Sequence, residues 1–131
     1  MPALLSTLVL DPHWRTLRLK AALVLYTAIL IMGSIPGARA EIGMVASGIV
    51  LHSLAYATMA FLLFTGTTGA PKARAIKAVL GVMAMGAGDE LVQSFLPYRH
   101  GAMSDWLVDV NAAVITSALL WAILPAPTVQ R

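Results

Sequence analysis

The sequence has no cysteine, which excludes disulfides and thiolate metal sites. It has little charge: 11% of its 131 residues are Asp, Glu, Lys or Arg, whereas a soluble domain carries about 25%. Its apolar runs lack the alternation of a barrel strand. It has no His-Glu-x-x-His, no Gly-x-Ser-x-Gly elbow and no phosphate-binding glycine loop, so the signatures of zincins, elbow-type serine hydrolases and P-loop enzymes are missing. It also shows no internal repeat. What it does have is apolar residue, 59% of the chain, with a mean hydropathy of +0.81. That composition and length describe a single-domain, all-α integral membrane protein.

Four apolar segments emerge, at about 17–36, 42–66, 76–96 and 105–124. A helix needs about 20 residues to cross a hydrocarbon core of about 30 Å, so the chain reads as a polytopic four-helix bundle, with Arg18 and Lys20 snorkelling to lengthen the first helix. Pro36, Pro97 and Pro125 stop the first, third and fourth segments, and Thr65–Pro71 closes the second. Seven of the nine basic residues (Arg15, Arg18, Lys20, Lys72, Arg74, Lys77, Arg131) lie at the two ends and the middle loop. The other two loops hold only Arg39 and Arg99. By the positive-inside rule both termini are cytoplasmic and those two loops face outward. The net charge of +3 is therefore a topology signal, with no basic stripe for nucleic acid. Ala38-Arg39-Ala40 resembles a signal-peptide cleavage site, but the basic residues come late and the apolar run is long, so the segment is read as a span. The apolar stretch 3–10 fits a position along the membrane surface.

Four of the six acidic residues, Asp89, Glu90, Asp105 and Asp109, fall in one window. A carboxylate at membrane depth costs roughly 2.5–3.5 kcal/mol even on lenient scales. Asp89 and Gln93 are i,i+4, Glu90 and Gln93 are i,i+3, and Asp105 and Asp109 are i,i+4, so each helix can present a polar face. Asp89 and Glu90 point about 100° apart, so only one can aim squarely at the bundle centre. Arg99 in the connecting loop is the natural partner for Glu90, Asp105 or Asp109, because its planar fork satisfies two oxygens. In the second segment His52 and Tyr56 share a face at i,i+4. Ser104 is placed to cap the last helix, Trp106 to anchor it at the interface, and Gly81, Gly86 and Gly88 to permit close helix packing. Asp89, Glu90, Asp109 and His52 also compose an oxygen-rich set with one imidazole, but without metal-site spacing, and no metal or cofactor is assigned. The central expectation is that Glu90, Arg99 and Asp109 meet near the outer side of the bundle.

The run Asp89-Glu90-x-x-Gln93, Pro97-x-Arg99, Asp105-x-x-x-Asp109, with His52-x-x-x-Tyr56 and the Gly33-Ser34-Ile35-Pro36 end of the first helix, resembles the VanZ-like family of small bacterial membrane proteins. The resemblance covers nearly the whole chain. The family often carries Gly three residues after the position of Asp109, where this chain has Ala112, which suggests looser packing there. The resemblance implies a multi-pass protein of the bacterial inner membrane and cell envelope. Its characteristic positions fall on His52, Tyr56, Glu90, Gln93, Arg99, Asp105 and Asp109. The family's namesake is associated with resistance to the glycopeptide teicoplanin. Three functions follow. The first is recognition of an envelope lipid or amphiphile by the acidic pocket. The second is an intramembrane enzyme on such a lipid, with Glu90 and Asp109 as acid and base and His52 as proton shuttle. The third is a structural subunit, as a homo-oligomer or in a larger membrane complex.

Overall fold

Asp11 and Pro12 lead into the first long helix. The Asp11 carboxylate accepts a hydrogen bond from the His13 amide at 2.9 Å, and Pro12 starts a 3-10 turn, Pro12–Trp14. The turn runs into helix α1, Arg15–Ser34. These elements belong to a computed structural model, which describes residue 4 and residues 9–36, 48–97 and 103–124. Three further helices follow: α2 (Gly48–Gly66), α3 (Pro71–Ser94) and α4 (Met103–Ile123).

Local chemistry sets the helix ends. Ile35 leaves α1 with extended backbone (φ −81, ψ 120), because Pro36 disfavours the helical conformation in the residue before it. At the end of α2 the Thr65 and Thr67 hydroxyls return to the Phe61 and Leu63 carbonyls, each at 2.7 Å. Helix α3 starts at Pro71, five residues before the apolar run at Ile76. A proline at the first helical position has no amide to leave unsatisfied, so Lys72 and Arg74 lie inside the helix and not in a loop. Helix α4 starts at Met103, and Ser104 lies in its first turn instead of capping it.

Helices α2, α3 and α4 pack on one another, and α1 leans on α2 with a lesser contact to α3. Contacts fix the chain directions. The His52–Asp109 contact places the starts of α2 and α4 at one end, and Tyr56 reaches Asp89 from the end of α3 to the same level. The opposite end holds Arg18 near the start of α1 against the Thr65 carbonyl at the end of α2. The bundle is therefore up-down-up-down. Its core is built largely from small residues, Ala22, Ala60, Ala112 and Ala113, around Tyr56, Met59 and Val82. Small side chains let helices approach closely where no water drives them together. Ala112, where the resemblance leads to an expected glycine, belongs to this buried core. Val9 and Leu10, also helical, pack against a second cluster of Phe64, Ala75, Ala78 and Leu124.

The outside is apolar. Leu23, Val24, Leu54, Leu80, Ile115 and Leu119 are all more than half exposed. Three helices, α1 with its leading turn, α2 and α4, are long and apolar enough to cross a membrane. Helix α3 is longer than any of them, but its uncharged stretch is confined to 78–88, between Lys77 and Asp89.

Candidate functional site

The site is a chain of polar side chains across three helices. One turn of α2 separates His52 from Tyr56, and their rings stack with centroids 6.1 Å apart and planes 17° apart. From that shared face each residue reaches a different acid. His52 Nδ1 lies 2.7 Å from Asp109 Oδ1 on α4, and the Tyr56 hydroxyl donates to Asp89 Oδ2 on α3 at 3.4 Å. Gln93, one turn beyond Asp89, donates its amide to Asp89 Oδ1 at 3.0 Å. Tyr56, Asp89, Gln93 and Asp109 are all 2% exposed or less, and the His52 side chain is 15% exposed.

Two glycines let the helices close around these acids. A methyl group on Gly86 would sit 3.2 Å from both Asp109 Oδ2 and Trp106 Cδ1. Trp106 turns its indole N–H to the Met83 carbonyl at 3.0 Å, so it ties α4 to α3, a contact the anchoring role did not anticipate. A methyl group on Gly88 would collide with the Tyr26 hydroxyl. Gly81 faces Leu63 in the same close manner. Tyr26, on α1, lies within the field of Asp89. Sequence reasoning missed it; the signal was a lone tyrosine in the middle of an apolar helix. Asp109 Oδ2 is buried and has no hydrogen-bond partner among the described residues.

A groove of about 300 Å³ opens between α1 and α2. Its walls are apolar, with Leu25, Ile29 and Met32 on α1 and Leu51 and Ala55 on α2. Its polar lining is His52, Tyr56, Asp89 and Gln93. An apolar cleft with a few convergent polar groups is the usual form of a small-molecule site. The groove thus offers hydrogen-bond acceptors beside apolar walls. Among the described residues no group of three His, Cys, Asp or Glu side chains is arranged to hold a metal ion.

The structure thus brings together His52, Tyr56, Asp89, Gln93 and Asp109. Glu90 is half-buried, and the inward position of the acidic pair belongs to Asp89. The sequence left open which of the adjacent pair aims at the bundle centre: one step along a helix turns a side chain by about 100°, and the Tyr56 face of α2 meets Asp89. Asp105 is half-buried in the first turn of α4, and its charge acts on His52. Arg99 lies outside the described residues, and with it the meeting of Glu90, Arg99 and Asp109. Compared with known proteins, the chain matches no family model, no curated protein and no solved structure.

The opposite end is basic. Arg18 donates to the Thr65 carbonyl at 3.0 Å. Arg74 donates to the Gly69 carbonyl at 2.9 Å and the Phe64 carbonyl at 3.4 Å. Lys77 donates to the Thr68 carbonyl at 2.7 Å. These carbonyls belong to the end of α2 and the turn after it, where a helix leaves acceptors unmet and its dipole is negative.

Proposed function

We propose that this chain is a VanZ-like protein of the bacterial inner membrane. In this reading all four helices cross the bilayer and both termini are cytoplasmic. It recognises the head group of an envelope lipid or related amphiphile in the groove between α1 and α2. The observation that carries the reading is the polar lining of that groove. Asp89, buried, lines the cleft beside one imidazole, one phenol and one amide, and the buried Asp109 lies behind the His52 imidazole. Two carboxyl groups with one imidazole leave an acid function for a ligand to meet. The charge bias toward one end supports the orientation. Helix α3 can cross despite its charges because Asp89 and Gln93 turn inward. Glycopeptide resistance enters only through the family resemblance.

The test is a deletion strain scored against envelope-active antibiotics and for lipid composition. Rescue by wild type and failure of Asp89→Asn, at equal protein level, is the expected result. Full rescue by Asp89→Asn and by Asp109→Asn would sink the reading.

A second reading, an acid–base enzyme acting on an envelope lipid, is favoured by one observation, the 2.7 Å carboxylate–imidazole contact. A carboxylate that orients an imidazole is the arrangement of a general base. Incubating the purified protein with a lipid extract separates the two, since recognition leaves every lipid chemically unchanged.

A further inference from the structure

A second groove, of about 460 Å³, runs along the outside of the bundle between α2 and α4, away from the polar lining described above. Ser53, Asn111 and Thr116 line it, among Ile49, Leu54 and Ile115. Asn111 is exposed, and Ser53 and Thr116 are half-buried. None of the three makes a hydrogen bond within the chain among the described residues. The buried Ser117 hydroxyl next to Thr116 likewise has no partner among the described residues, whereas several other helical hydroxyls are satisfied within their own helix. Those of Thr27, Ser34, Thr58 and Thr65 all return to the carbonyl one turn back, at 2.7–2.8 Å. That is the usual way to satisfy a hydroxyl away from water. Three open polar groups in one exterior groove therefore ask for a partner.

Asn111 lies about 12 Å into a helix about 31 Å long, at 1.5 Å per residue. On the membrane-spanning reading, on which this step rests, it sits well below the head groups with only lipid in front of it. Lipid offers a carboxamide neither donor nor acceptor.

We infer that this groove is the contact surface for a second copy of the same chain, closed by a hydrogen bond between the two Asn111 side chains. Two copies inserted with one topology are related by an axis along the membrane normal, so each residue meets residues of its own depth. A two-fold contact sets a patch against itself. A carboxamide is donor and acceptor at once and satisfies its own image, which a single hydroxyl, carboxylate or ammonium does less completely. Ser53 and Thr116 flank the contact with further hydroxyls.

The absence of cysteine makes the test direct, because one introduced thiol reports one position. Ile115→Cys lies one turn from Asn111 on the same groove, and Leu80→Cys is an exposed position on α3. In oxidised membrane vesicles the first should yield a covalent pair of identical chains and the second should not. Introducing Asn111→Val should weaken association roughly 5- to 30-fold, read by energy transfer between labelled copies diluted in lipid, with Asn111→Gln largely retaining it. Equal cross-linking at both positions, association unchanged by Asn111→Val, or a cross-link only to a different protein would overturn the inference. Alkaline extraction of the same vesicles distinguishes the failures. A chain that stays inserted but unpaired refutes the pairing alone, and a chain stripped from the membrane refutes the spanning reading beneath it.

Discussion

The two ends of the bundle both gather charge, and they dispose of it differently. At the basic end, Arg18, Arg74 and Lys77 donate to backbone carbonyls at the close of α2 and the turn after it. That need exists in any helix that ends, and meeting it accounts for these residues without a ligand. At the acidic end, side chains meet side chains: Asp109 with His52, and Asp89 with Tyr56 and Gln93. Nothing in the backbone requires those groups. Apolar residues of similar size would pack as well, and replacing buried ion pairs in that way is often neutral or stabilising. One oxygen of Asp109 also remains buried without a partner among the described residues. The basic end is explained by its fold, whereas the acidic end holds more polar chemistry than the fold needs.

The largest effect that would break this contrast concerns His52. His52→Leu leaves Asp109 buried without its base, and unfolding measured in detergent should show a loss of about 3–5 kcal/mol. Adding Asp109→Leu should return most of that loss. If the double variant were as unstable as the single one, the pair would be a structural necessity and the contrast would fail.

Next in size is Gly88→Ala. The new methyl group meets the Tyr26 hydroxyl, and overpacking of this kind costs about 1–3 kcal/mol. Tyr26→Phe in the same chain should relieve it, and no relief would mean that α1 does not lie where it is placed. Arg18→Met should cost about 1 kcal/mol by leaving the Thr65 carbonyl without its donor, whatever lipid is present. The smallest change is Lys77→Met, about 0.5 kcal/mol at low ionic strength and less as salt rises, since an exposed charge near a helix end is readily screened.

Much of the helical architecture was legible because hydrophobic runs and prolines mark it. The end of α1 at Ile35 follows from Pro36, and the shared face of His52 and Tyr56 follows from helical spacing. Other features were illegible for physical reasons. Adjacent acids look alike in sequence, and only the position of Tyr56 on a neighbouring helix selects Asp89 over Glu90. Pro71 read as a stop and proved to be a start, since proline does both. The basic residues were read as topology signals, and their bonds to the carbonyls of α2 depend on chain directions that no local pattern contains. Trp106 looked like an interfacial anchor because its N–H partner, the Met83 carbonyl, lies 23 residues away. Asn111 lies only two residues after Asp109 in sequence, yet it faces a different groove altogether.

The most direct test of the acidic end as a binding site is mass spectrometry of the intact protein released gently from membranes with its bound lipid. Wild type is expected to retain one class of envelope amphiphile, and Asp89→Asn, which keeps the side chain's shape and an acceptor for Tyr56, is expected to lose it while unfolding at a similar temperature. Equal retention by the two proteins, or none by either, would contradict the account.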